Sequence, residues 1–398
     1  MFGCLERTRA GNAAASSHSA KFSSAGLARR SNRGSWLRAA GAASLLAACL
    51  SFLTPARAWA EPRLITDNAL GAHAMLYFDT PEAGDNAAFA EADAERASTI
   101  RLDIFMPQLL DQSNGIDWTW VDRIADLSRR YHLRVLADLT GMPMSMADCP
   151  AGDQDAWDQC PAQDSAAWGQ LAGQVAAHLR EMPVSFEIWN EPDGSWTYAG
   201  TPAQYGAMLA AAVLDIHKAN PKALVTNGGM MQTAGAGGTS WLGAALRAAG
   251  QRTWRELGML NVHIRGVETS LAPQLRAWRA FAADHGRPQL PIWVTEAGYP
   301  ADPAYQFDPS FTGGLVGQAR YVAAALRSFY RAGAAKIFVT ERDMPPGSGE
   351  FASEGVVAGL ADQQLTDPAP QPRPAFDSCR TFAEETTLTT QQRGRSRP

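Results

Sequence analysis

Between residues 72 and 340 the chain repeats one pattern: a short apolar, β-branched run, then a longer stretch with helical periodicity. Eight such runs stand out, at Ala72–Phe78, Thr99–Phe105, Leu133–Leu139, Val184–Trp189, Ala223–Asn227, Met259–Ile264, Pro291–Thr295 and Lys336–Thr340. Helical periodicity marks Trp118–Tyr131, Ala166–Glu181, Pro202–Asn220, Trp241–Gly250, Leu271–His285 and Gly314–Gly333. Asn220-Pro221 and Gly286-Arg287-Pro288 supply helix stops. Strand and helix alternating eight times over roughly 250 residues predict a single-domain α/β fold, the (β/α)8 TIM barrel. A closing helix is expected over Pro374–Glu385, with Pro374 at its first position. Residues 386–398 read as a disordered tail.

Two of the runs end in a glutamate followed by turn residues. One is Phe186-Glu187-Ile188-Trp189-Asn190-Glu191-Pro192-Asp193; the other is Pro291-Ile292-Trp293-Val294-Thr295-Glu296-Ala297-Gly298-Tyr299. Glu191 and Glu296 are 105 positions apart, three intervals of 35, and one such interval is about the length of a strand-plus-helix unit. The spacing puts them on strands 4 and 7, facing each other across the barrel mouth. Two carboxylates across a cleft can cleave a glycosidic bond, one as acid and base, the other as nucleophile. A general acid must keep its proton near neutral pH, and a charged neighbour such as Glu296 supplies that condition until it is esterified. Taken singly, either glutamate could instead cap its strand or pair with an arginine.

Alternation along strand 4 sets Glu187, Trp189 and Glu191 on one face and Asn190 on the other. The strand must therefore bulge or turn at its end if Asn190 and Glu191 are both to meet a sugar. Asn190 is then expected to bond the hydroxyl beside the reacting carbon, and Glu187, set deeper, to pair with a buried arginine. Arg101 on strand 2 is a candidate for holding Glu296 ionised; its alternative is a salt bridge to Asp103 or Glu187. His263, near the end of strand 6, is a candidate for the sugar site or a satisfied core histidine. Tyr299, Trp196 and Tyr198 are candidate sugar platforms, because aromatic rings stack on the apolar faces of pyranoses; packing is the alternative. The glycines from Gly228-Gly229 to Gly237-Gly238 lack the spacing of a phosphate loop and read as a flexible barrel-top loop. No Cys/His spacing resembles a zinc site, and the expected chemistry needs no metal and no cofactor.

Residues 1–60 carry eight Lys/Arg against one acid, Glu6, and their apolar run, Ala39 to Leu53, precedes Ala58-Trp59-Ala60. This pattern reads as a secretory signal cleaved after Ala60, and so as export to the periplasm or beyond. A lipoprotein signal at Cys49 is the rival, which would leave an N-terminal membrane anchor. Residues 61–385 are assigned to the barrel. The 338 residues after the signal carry 27 Lys/Arg and 39 Asp/Glu, a net charge of −12. That charge argues against nucleic acid and anionic membranes as partners, and favours a neutral or partly cationic glycan. A monomer is expected. Cys149 and Cys160 bracket a Pro/Asp-rich loop and are expected to pair in an oxidising compartment, with two reduced thiols as the alternative. Cys379 reads as a buried helix residue.

The motif Phe186 to Asp193 resembles the acid/base motif of clan A retaining glycoside hydrolases, most closely that of family 39. Trp293 to Tyr299 resembles the nucleophile strand of the same family, and Arg101, Ser240-Trp241-Leu242 and Arg373-Pro374-Ala375-Phe376 are similar to further family features. The resemblance spans roughly residues 72–385. It implies an acid/base role for Glu191, a nucleophile role for Glu296 and substrate contacts for Asn190 and His263. Family 5 cellulases and mannanases have related motifs. The chain departs from the family pattern at Gly141-Met142-Pro143-Met144-Ser145, which lacks a tryptophan after the proline. It departs again at His263-Ile264-Arg265, where an aromatic commonly follows, and at Thr340-Glu341-Arg342-Asp343, where a tryptophan is usual. The expected activity is that of a retaining glycosidase, endo-acting on a secreted bacterial exopolysaccharide. The alternatives are a cellulase- or mannanase-like or exo-acting enzyme, and a non-catalytic sugar-binding barrel.

Overall fold

In the computed structural model the described residues are 67–76, 78, 80–110, 115–149, 154–359 and 371–395. The chain divides into two units, Met1–Ala58 and Trp59–Pro398. The first lies wholly outside the described residues, as do the expected cleavage site at Ala60 and the alternative at Cys49.

The eight barrel strands are β1 (Leu70–His73), β2 (Thr99–Phe105), β3 (Arg134–Thr140), β4 (Val184–Ile188), β5 (Leu224–Asn227), β6 (Leu260–His263), β7 (Ile292–Ala297) and β8 (Ala334–Thr340). The helices are α1 (Glu82–Ala94), α2 (Met106–Leu109), α3 (Thr119–Tyr131), α4 (Ser165–His178), α5 (Pro202–Ala219), α6 (Gly238–Glu256), α7 (Glu268–Asp284), α8 (Leu315–Arg331) and α9 (Pro374–Arg395). Strands pair in parallel in the order β5-β4-β3-β2-β1-β8-β7-β6. The β5–β6 seam is closed by the Gly258 N–H donating to Val225 O at 2.8 Å and by Asn227 Nδ2 donating to Asn261 O at 2.9 Å. The expected (β/α)8 barrel is therefore what the chain forms. Its helices bury one stripe against the strands, α5 through Tyr205, Met208, Leu209, Ala212, Val213 and Ile216. Thr201 caps that helix, in a reciprocal pair with Gln204.

Two differences from the sequence reading have physical causes. Helix α1 has no counterpart in it, because its segment is alanine-rich and buries only Phe89 as a large apolar side chain. Helix α9 continues ten residues beyond the expected end at Glu385. The buried Thr386 hydroxyl accepts from the Ala69 N–H at 3.2 Å, which docks this part of the helix beside β1. A disulfide joins Cys149 to Cys160, and Cys379 is a buried free thiol on α9.

Register decides which side chains meet at the C-terminal mouth. His73 of β1 lies opposite Arg101 of β2. Asp103 lies opposite Asp138 of β3, and Asp138 opposite Glu187 of β4. His263 of β6 lies opposite Glu296 of β7, where the register shifts on both sides of β7. Ionisable residues from six strands are thus collected at one end of the barrel.

Candidate active site

Strand β4 ends at Ile188, and the backbone then turns sharply: Trp189 has φ 72° and Glu191 φ 44°. Non-glycine residues rarely adopt this left-handed conformation, and such strain persists only where its surroundings enforce it. Here the Trp189 ring donates to Thr197 O at 3.1 Å and packs edge-on against Tyr198. Asp193 accepts from the N–H groups of Met231 (3.0 Å) and Gln232 (2.9 Å). The turn required by the alternation argument is present. It brings Asn190 and Glu191 to the same side, and both are partly exposed.

Arg101 is buried at the centre of the mouth. Its Nε donates to Glu187 Oε2 at 2.8 Å and Nη2 to Asp138 Oδ2 at 3.2 Å. Nη2 also donates to Asn190 Oδ1 at 3.0 Å, and Nη1 to Glu296 Oε1 at 3.1 Å. The two readings of Arg101, beside the nucleophile candidate and paired with Glu187, are both realised. Glu187 also accepts from the Gly229 N–H at 2.8 Å. The glycine pair is not there for flexibility. A Cβ at Gly229 would lie 1.9 Å from His263 Nε2, and one at Gly228 would lie 2.1 Å from Trp189 O. Only glycine lets the β5 loop pass beneath the histidine and the β4 turn.

His263 bridges the acids. Its Nδ1 lies 2.8 Å from Glu191 Oε1 and 3.6 Å from Glu296 Oε2. Burial pulls the imidazole down, but Glu296 and Glu191 outweigh it and hold it above the usual histidine value. Burial would likewise raise Glu296. His263, Arg101 and Arg265 oppose that and hold its carboxyl well below the usual range. His73 itself is driven down to about 3, first by burial. It is therefore a neutral ring whose Nε2 accepts from Arg101 Nη1 at 2.9 Å. Asp103 is raised to about 6 and Asp138 well above the ordinary carboxylate value, burial leading in both cases.

Glu191, His263 and Glu296 each present an atom within 4.8 Å of the other two. The guanidinium groups of Arg101 and Arg265 on either side of Glu296 make this a poor cation site, since a metal ion would meet two fixed positive charges.

Two aromatic candidates need correction. Tyr299 is fully buried, stacked on Tyr321 with ring centroids 4.1 Å apart, and its hydroxyl donates to Asp308 O at 3.1 Å. Tyr198 is buried against Trp189 and Tyr205. Neither offers a face to a sugar: beyond the ends of β4 and β7 the chain turns their rings into the layer between strands and helices. Trp196 is 58% exposed and stays available as a platform. Sequence reasoning also missed His73, Asp138, Arg265 and Glu354. The one signal for Arg265 was its place in His263-Ile264-Arg265, two residues from His263 and so on the same strand face.

No family model matches the chain, and no curated protein matches it. Solved structures share its fold. A family 39 glycoside hydrolase from Bacteroides cellulosilyticus superposes with TM-score 0.59 at 14% identity, over 80% of this chain and 64% of that one. A monomeric β-xylosidase from Caulobacter crescentus gives 0.60 at 16%, over 79% and 67%. A family 5 enzyme from Streptomyces cattleya, bound to a mannosyl-β-1,4-N-acetylglucosamine disaccharide, gives 0.59 at 14%, over 80% of each chain. This chain thus spans about two thirds of the length of the first two. The likeness is one of fold: the barrel of this chain is the fold found in these glycoside hydrolases.

Proposed function

We propose that this chain is a retaining O-glycosidase, exported from the cell, that cuts within a neutral or partly cationic exopolysaccharide and acts as a monomer. The observation that carries the reading is the Glu191–Glu296 pair. Their nearest ligand atoms lie within 4.8 Å through a shared histidine, inside a ring of cations that keeps Glu296 anionic. Carboxyl groups about 5–5.5 Å apart suit a covalent double displacement, whereas inversion needs ~6.5–9.5 Å to admit a water. In the first step Glu296 attacks the anomeric carbon as its bond to the leaving oxygen breaks, and Glu191 delivers its proton to that oxygen. In the second step Glu191 takes a proton from water, the water oxygen bonds to the anomeric carbon, and Glu296 departs as carboxylate. In this reading Asn190, held by Arg101, bonds the neighbouring hydroxyl, and exposed Trp196 serves as a stacking surface for the sugar chain.

Support for export comes from the basic and apolar N-terminal pattern and from the Cys149–Cys160 disulfide, a bond typical of oxidising compartments. The test is incubation of purified protein with a polysaccharide panel, sizing the products and recording their initial anomeric configuration by NMR. Retained configuration and a ladder of oligosaccharides are expected. Single-sugar release would replace endo by exo action; an inverted product would remove the covalent step; binding without turnover would leave a sugar-binding barrel.

A further inference from the structure

Two residues past His263, in a stretch where this chain departs from the family pattern, stands Arg265. Its Nη2 lies 3.6 Å from Glu296 Oε2, too far for a hydrogen bond but close enough for strong charge attraction. The guanidinium is held from behind. Glu354 accepts from both of its ends, from Nη2 at 3.0 Å and from Nη1 in a shorter contact, and the Phe351 ring lies 4.8 Å beneath it. Glu354 is itself buried and accepts from the Thr340 hydroxyl at 3.2 Å. Arg265 remains 23% exposed toward solvent.

The two oxygens of Glu296 are thus treated differently. Oε1 is hydrogen-bonded by Arg101, whereas Oε2 has only the charges of His263 and Arg265, each at 3.6 Å. Oε2 is the oxygen left free to attack, and Oε1 becomes the ester carbonyl. Each arginine also has a carboxylate partner of its own: Glu187 for Arg101, Glu354 for Arg265. Esterification of Glu296 therefore strands neither guanidinium in a buried site without a counter-charge.

We infer, building on the glycosidase reading, that Arg265 is a positioning residue for the second half-reaction. Its charge stabilises Glu296 as a departing carboxylate, and Glu354 ties that charge to the β8 loop and keeps it off Oε2. A cation beside Oε2 favours the free carboxylate over the ester. It therefore speeds breakdown of the glycosyl-enzyme and slows its formation. Removing Arg265 and releasing it from Glu354 should shift the two steps in opposite directions. The other ionisable groups around Glu296 are His73, Arg101, Asp103, Asp138, Glu187, Glu191, His263, Glu350 and Glu354, and all except Glu354 are left in place by the test.

The experiment uses 4-nitrophenyl mono- and oligosaccharides that the wild type hydrolyses. For Arg265→Met, kcat should fall by about tenfold and KM by more, so that kcat/KM rises, with a pre-steady-state burst of nitrophenol and a glycosyl adduct on intact mass. Arg265→Lys should restore most of kcat and abolish the burst. Glu354→Gln should instead lower kcat/KM with no burst. Melting temperatures of all three report folding separately. Equal losses in Arg265→Met and Glu354→Gln, or a fall in kcat/KM alone for Arg265→Met, overturn the inference while leaving the glycosidase reading intact. A wild type that hydrolyses nothing overturns both.

Discussion

The barrel buries carboxyl groups in two places, and it treats them in opposite ways. At the mouth, Glu187 and Glu296 face Arg101, Arg265 and His263, and Glu296 is held anionic despite burial. Around the outer layer, Glu95 at the end of α1 and Glu341 just after β8 are more deeply buried than Glu296, near Cys379 of α9. The nearby guanidinium, Arg342, is committed to Glu91, with Nε at 2.9 Å. Neither oxygen of Glu341 has a hydrogen-bond partner among the described residues, and Glu95 has at most the weak thiol donor of Cys379. Burial pushes Glu95 up to about 8 and Glu341 well above the usual range. Desolvation is common to both clusters. The balance of counter-charge against desolvation decides whether a buried acid stands ready as a nucleophile or sits neutral: Asp138, which shares Arg101 with Glu187 and Glu296, is pushed up at the mouth as well.

The strongest way to break this contrast is at Glu296. Glu296→Gln keeps the shape and removes the charge, and should lower kcat at least about 10⁴-fold with little change in fold; surviving turnover would reassign the nucleophile. Glu191→Gln should cost roughly 10²–10⁴-fold, least on substrates whose leaving group needs no proton. If nitrophenyl and alkyl glycosides suffer equally, Glu191 is not the acid. Arg101→Met strips counter-charge from Glu187, Asp138 and Glu296 together and should destabilise the protein by on the order of 3–5 kcal/mol, read by denaturant unfolding. An unchanged midpoint would show that the mouth does not depend on its cation.

The outer cluster gives a smaller, pH-dependent effect. A carboxyl raised on folding contributes stability in full below its unfolded value near pH 4.5, and loses that contribution as pH rises through its folded value near 8. Glu95→Gln should therefore raise the melting temperature by roughly 2–5 °C at pH 8.5 and by under about 1 °C at pH 5. A pH-independent change would refute the buried neutral acid. Outside both clusters, Trp196→Ala should raise KM about three- to tenfold on long substrates, leaving stability unchanged.

Legibility in the sequence followed distance along the chain. The strand-end glutamates, the need for a turn at Asn190 and the pairing of Cys149 with Cys160 are local patterns, and each could be reasoned out from neighbouring residues. Glu354 lies 89 positions from the arginine it grips, and Glu187 lies 86 from Arg101. No periodicity announces such pairs, and His73 looked like any strand residue. Tyr299 misled for a related reason. Proximity to Glu296 in sequence is not proximity in the cleft: the chain leaves β7 and carries the ring into packing with Tyr321. The Gly228-Gly229 pair was visible, but its cause, the closeness of His263 and Trp189 O, was not.

What the residues alone determined was a barrel with one acid at the end of strand 4 and another at the end of strand 7, because hydrophobic period and turn chemistry are written over short stretches. What tertiary structure decided was the state of those acids. Strand register and the β8 loop choose which cations stand beside which carboxylates, and ionisation in a desolvated site is a property of that assembled set rather than of any one segment.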